Sequence, residues 1–411
     1  MISAPLTAAT AAVSTVFLGI ALSAAPTQAE APTCQGRPAT VVGPTGTEGD
    51  DVMVAPLDAW VSVEGLGGDD LICLVDGTRQ GGRDPRFFAD AGPGDDAVHY
   101  QATYVANVTL GLGSDHFVGN DVGSDVYTGA SAPIPGGVVY FGQTDTEADV
   151  VITGAGRDSV YSGDTGSLAS NPDRIATGGS NADLDSVFYA GQMAPSGELD
   201  NGSSGDLLFL VGTWPAGTLS LDNVDGRATL ADREVMRWSN VRHFVVHERP
   251  EALRFMGGPG PDTLTVGDFQ LPTPGAPMTV DVSTHGGSDL VTLAGALQGR
   301  VRMGRGHDSM VLGGACDRTR ADLRSALVCH EGTERSRTDL AGIDELLVTG
   351  PDVVAMGTMR ADTITVNGHG ARVSGRGGPD RLTATGRDGV VYGGSGRDRC
   401  SAKEQHGCER R

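Results

Sequence analysis

Apolar and polar positions alternate in short bursts along most of the chain, and almost none of the bursts is long enough for a helix. Runs such as LLFLVG from Leu207, TLSLDNV from Thr218, FVVHE from Phe244, TVDVS from Thr279 and DTITVNG from Asp362 are strand-length and rich in Val, Thr and Ile, which predicts β-strands. One stretch breaks the rule. RTRADLRSALVCH, from Arg318 to His330, spaces Leu323 and Leu327 at i, i+4 with arginines on the other side, so a helical insertion is expected near 316–340.

The strands are separated by glycine and aspartate, and the separators repeat. Sliding the nonapeptide G-G-x-G-x-D-x-U-x, with U apolar, along the chain gives GGPGPDTLT at Gly257 and GGSGRDRCS at Gly393 as the fullest matches. Matches that keep the fourth-place glycine, the sixth-place aspartate and the apolar eighth residue begin at Gly46, Gly65, Ala91, Leu110, Thr153, Thr284, Met303 and Gly375; weaker ones surround Asp125, Asp206 and Asp362. Two nine-residue units make one turn of a two-faced coil, so a true coil returns every 18 residues. Asp362, Asp380 and Asp398 keep that interval; Asp51 to Asp70, Asp96 to Asp115 and Asp289 to Asp308 are 19 apart, while Asp262 to Asp289 and Asp158 to Asp185 are 27 apart. The expected fold is therefore all-β, a parallel β-roll or β-helix solenoid with irregular coils.

A longer repeat overlies the short one. The segment from Ser239 matches the segment from Ala341 at an offset of about 100, Val241, Phe244 and Val246 falling on Ile343, Leu346 and Val348. The expected organisation is a signal peptide over 1–29, an N-terminal solenoid over 30–206 and a C-terminal solenoid over 207–411 containing this duplication. Residues 1–29 hold no charged side chain, carry an apolar stretch around Val13 to Leu22 and end in Thr27-Gln28-Ala29, a small-x-Ala cleavage signal. No later segment approaches the ~20 apolar residues of a membrane span, so a secreted protein is expected.

Composition narrows the chemistry. Of 411 residues 62 are glycine and only 5% are aromatic, so a thin core of Val, Ile, Leu and Met is expected. The net charge is −22, and aspartate exceeds glutamate roughly threefold, which favours turns over helices. Nucleic acid and anionic membranes are repelled by such a chain, whereas cations are its natural counterpart. Six cysteines suit an oxidising compartment, and pairing Cys34 with Cys73, Cys316 with Cys329 and Cys400 with Cys408 is the most local of the 15 connectivities. The nine histidines show no H-E-x-x-H, no C-x-x-C suggests zinc, and no G-x-S-x-G suggests a hydrolase.

Glycines let the chain reverse tightly with its carbonyls turned inward, and the sixth-place carboxylate adds a hard oxygen. Coils stack about 4.8 Å apart, so neighbouring turns together supply the six to eight oxygens that calcium takes. The repeats resemble those of repeats-in-toxin (RTX), or hemolysin-type, calcium-binding proteins, whose nonapeptides form a parallel β-roll around Ca2+. The opening CQGRPATVVGPTGTEGDDVMV from Cys34 resembles secreted actinobacterial members of that group. The resemblance implies calcium ligation by Asp51, Asp70, Asp96, Asp115, Asp262, Asp289, Asp308, Asp362, Asp380 and Asp398. Isolated turns, such as those at Asp158 and Asp206, are read as plain β-turns in which aspartate bonds its own backbone. The expected function is a non-catalytic, calcium-stabilised solenoid. The alternatives are a surface adhesion module binding a cell-surface polymer or envelope, and a β-helical polysaccharide-degrading enzyme, with the segment from Leu207 to Arg254 and its Trp214 and Trp238 as the place for a ligand groove.

Overall fold

The computed structural model describes residues 31–409 apart from 59–60, 79–86, 130–145, 164–169, 180–183, 194–196, 203–205, 212–213, 215, 268–275, 315 and 333. The expected signal peptide lies outside these residues. All the regular elements among the described residues are strands, most of them in two long sheets. The first sheet runs from Val41–Val42 and Val52–Leu57 at one edge to Val390–Ser395 and Glu404–His406 at the other. The second has 15 parallel strands, from Ser62–Glu64 to Arg399–Ser401. The chain visits the sheets in turn, placing a strand in each on every coil, which is a parallel β-solenoid.

The apolar eighth residue of each turn explains why the coils stack. It is the second residue of the strand that follows, and Met53, Ile72, Val98, Phe117, Leu264, Val291, Met310, Ile364 and Leu382 are all buried there. In-register pairing puts them in columns, as in Leu264, Val291 and Met310 on successive coils. The expectation of a ring-free core is wrong. Phe87, Tyr100, Phe117, Tyr189, Phe244 and Phe255 are fully buried.

Two insertions interrupt the regular winding, both in the first sheet. Thr218–Asp222, Arg227–Leu230 and Arg233–Ser239 form an antiparallel meander whose outer strands pair in parallel with neighbouring coils at Ala252–Met256 and Glu198–Asp200. The same arrangement recurs about 100 residues on in Arg318–Asp322, Ala326–Glu331 and Glu334–Ala341. The helix expected near 316–340 is thus a β-meander. Thr319 and Ala321 are buried between exposed Arg318 and Arg320, a period of two. A helix would also hold Cys316 and Cys329 about 20 Å apart, whereas they form a disulfide with Cα atoms at 5.6 Å.

Cys34–Cys73 and Cys400–Cys408 are also bonded, so all three local pairings hold. The first joins the opening hairpin to the coils, and the third closes the last coil. Trp238 is buried against Phe244 and its Nε1 donates to Asn223, and Trp214 Nε1 donates to the Glu248 carbonyl. Both indoles thus tie loops and strands together. No helix among the described residues is long and apolar enough to cross a membrane.

Candidate functional site

A glycine turn delivers each sixth-place aspartate to the residue just before a strand, and there the side chain is buried between coils. Within a run, its Oδ1 accepts the backbone N–H of the corresponding residue on the preceding coil. Asp51, Asp70 and Asp96 donate in this way to Asp70, Asp96 and Asp115, each at 2.8 Å, and Asp115 and Asp149 donate to Asp149 and Asp173 at 2.7 and 3.0 Å. This column stands at the entry to the first sheet.

A second column stands at the entry to the second sheet. Ser124, Asp158 and Asp185 donate to Asp158, Asp185 and Asp206 at 2.7, 2.8 and 3.2 Å. Further along, Asp262 and Asp289 donate to Asp289 and Asp308 at 2.9 and 3.1 Å, Asp308 to Asp344 at 3.2 Å, and Asp362 and Asp380 to Asp380 and Asp398, both at 2.9 Å. The ten expected residues are therefore brought together as neighbours within columns, four in the first and six in the second. Asp158 and Asp206 are buried rungs and not plain turns, since the coil supplies each with a partner that an isolated turn lacks. Every 18- and 19-residue interval is one coil, and so is each 27-residue interval.

Asp149, Asp173 and Asp344 are rungs that the nonapeptide search misses. Glu147 and Asn171 stand where the first two should have glycine, although the D-x-U step into a strand is present in both. An outer column also escapes it. Asp69 and Asp95 donate their N–H to Asp50 and Asp69, and Ser114 donates to Asp95, at 2.9–3.0 Å. The signal was the Asp-Asp pairs at 50–51, 69–70 and 95–96. The exposed fifth-place carboxylates reach forward to the next coil while the buried sixth-place ones reach back.

The second carboxylate oxygen divides the rungs. In Asp70, Asp96, Asp289, Asp308, Asp380 and Asp398 it is buried with no hydrogen-bond donor. Desolvation by burial, followed by repulsion from the adjacent carboxylates, outweighs the amide bond and pushes Asp70 and Asp380 up to about 6 and Asp96 to about 7. At Asp51, burial is outweighed by bonds from Thr47 and Thr40, and its carboxyl sits below the ordinary value. Asp262 Oδ2 accepts the Gly258 N–H at 2.7 Å and Asp362 Oδ2 the Thr358 N–H at 2.6 Å.

Main-chain oxygen converges on the same place. A Cβ built at Gly65, Gly375 or Gly393 would lie within 3.0 Å of two oxygens: Oδ2 of Asp70, Asp380 or Asp398, and the carbonyl of Ala91, Gly393 or Gly407 on the next coil. First-place glycine thus lets the coils approach so closely that the Asp Oδ2 and the next coil's carbonyl oxygen converge where a side chain would otherwise stand. Among the described residues no three His, Cys, Asp or Glu side chains cluster to hold a metal unaided, so a cation here would depend on those carbonyls. The donor set, carboxylate plus backbone carbonyl, suits a hard cation such as Ca2+.

Fold and site together define a parallel β-solenoid with aspartate ladders buried between its coils. No protein-family model matches the chain, and no curated protein does.

Proposed function

We propose that this protein is a secreted calcium-binding solenoid of the RTX kind, in which Ca2+ between coils neutralises buried aspartates and holds the stack together. The observation that carries the reading is the set of buried carboxylate oxygens without donors in a chain of net charge −22. A buried unpaired carboxylate is costly and is ordinarily protonated or metal-bound. The ion would be held by Oδ2 of the sixth-place aspartate and by first-place carbonyls, and it would supply charge neutralisation and oxygen cross-linking. Three disulfides support an oxidising destination outside the cytoplasm, where calcium is abundant enough for sites of roughly 10⁻⁴–10⁻³ M affinity.

Calcium titration of the mature chain against chelator, followed by circular dichroism and thermal melting, tests the reading. A site filled at a hundred times its dissociation constant stabilises the fold by about 2.7 kcal/mol. A melting curve unmoved by millimolar calcium sinks the proposal.

A further inference from the structure

The rungs are not equivalent, and with the exception of Asp308 their differences follow the conformation of the residue at the second place of each turn. Leu66, Gly92, His285, Arg376 and Gly394, which precede Asp70, Asp96, Asp289, Asp380 and Asp398, have φ between 62° and 107°. No donor reaches Oδ2 in any of these five rungs; Asp308 also lacks one, although Gly304 at its second place is outside the left-handed region. Thr47, Gly258 and Thr358 are outside the left-handed region, and each donates its N–H to Oδ2 of Asp51, Asp262 or Asp362 at 2.6–2.8 Å.

Those three rungs share a position. Asp51 opens the first column, with Thr40 Oγ1 on its Oδ1 at 2.9 Å. Asp262 opens the run that continues to Asp289 and Asp308, with Asn223 on its Oδ1 at 2.8 Å. Asp362 opens the run to Asp380 and Asp398, and Thr358 Oγ1 donates to both its oxygens at 3.0 Å. Each opening rung is an aspartate whose two oxygens are already served by uncharged donors.

Resting on the calcium reading above, we infer that Asp51, Asp262 and Asp362 are ladder caps that hold no cation, and that calcium is confined to rungs where a left-handed second place coincides with a first-place glycine, namely Asp70, Asp380 and Asp398. At the caps a polypeptide amide takes the position at Oδ2 that the ion takes at those rungs. At Asp96, Asp289 and Asp308 the first place is Ala91, Thr284 or Met303, so a Cβ is present where Gly65, Gly375 and Gly393 have none.

The test is calcium stoichiometry of the full mature chain by isothermal titration, with asparagine substitutions that keep Oδ1 as an acceptor for the preceding amide. Asp70→Asn, Asp380→Asn and Asp398→Asn each lower the number of bound ions, whereas Asp51→Asn, Asp262→Asn and Asp362→Asn leave it at the wild-type value. Soaking crystals of the wild-type chain with terbium gives a readout free of folding effects, with anomalous peaks beside Asp70, Asp380 and Asp398 only. Equal loss of calcium in Asp362→Asn and Asp380→Asn, or a terbium peak at any cap, overturns the assignment while calcium binding stands. A wild-type chain that takes up neither ion removes both.

Discussion

Asn223 Nδ2 donates to Asp262 Oδ1 at 2.8 Å, in the place where an aspartate amide of the preceding coil would otherwise stand. Trp238 fixes the amide from its other side, donating to Asn223 Oδ1 at 2.9 Å. The meander therefore supplies the donor that the interrupted column lacks. Asn223→Ala should destabilise the protein by about 1–3 kcal/mol, because it leaves three partners unmet: Asp262 Oδ1, the Trp238 N–H and the Val241 carbonyl. Urea unfolding in saturating calcium measures it, and a midpoint within error of wild type would show that the cap is dispensable.

Burial raises Asp70, Asp96, Asp185 and Asp380 to about 6 or 7 from 3.8. A carboxyl whose folded value exceeds its unfolded value binds protons more tightly when folded, so its contribution is fully present below 3.8 and is lost as pH rises through 6 to 7. In chelator, the melting temperature should therefore fall between pH 4.5 and 7.5. Excess calcium at pH 7.5 should offset the part of the loss that arises at Asp70 and Asp380, and a chelated protein that grows more stable across that range would contradict the assignment of these rungs.

Substituting one rung in two ways separates its amide bond from its charge. Asp96→Asn keeps an acceptor for the Asp70 N–H and removes a buried charge, so in chelator at pH 7.5 it should raise the melting temperature. Asp96→Ala orphans that N–H and should cost about 1–3 kcal/mol. Thermal melts of both variants, compared with wild type in the same buffer, decide it.

Gly111 has φ +120°, and a Cβ there would run into the Gly92 carbonyl of the preceding coil. Gly111→Val should be among the most damaging single changes, costing about 3 kcal/mol or more from backbone strain and clash. Replacement of Gly49, where a Cβ would meet nothing within 4 Å, should be tolerated; comparing soluble yield and melting temperature of the two variants provides the check.

The winding was legible because one residue type does one job. Aspartate before D-x-U marks an entry to a sheet, and intervals of 18 or 19 residues, as from Asp362 to Asp380 to Asp398, are coil lengths. Longer intervals read as slips in register, yet Asp262 and Asp289 are direct neighbours, since extra residues leave the coil without displacing the next strand. The division into two columns was hidden, because both sheet entries use the same letters. The caps were hidden too: GGPGPD at Gly257 is among the fullest matches, but only the backbone angle at Gly258 shows that its amide turns toward the carboxylate. Leu323 and Leu327 suggested a helix because i, i+4 spacing also arises when two inward residues flank a hairpin turn.

Buried carboxylates in both columns reach in one direction only, back toward the N-terminus. Each inner rung's carboxylate accepts the amide of the coil before it, and its own amide donates to the carboxylate of the coil after it. The stack is thus polar along its axis, and its two ends differ in chemistry: the first rung of each run must take donors from outside the ladder, as Asp51 does from Thr40 and Thr47.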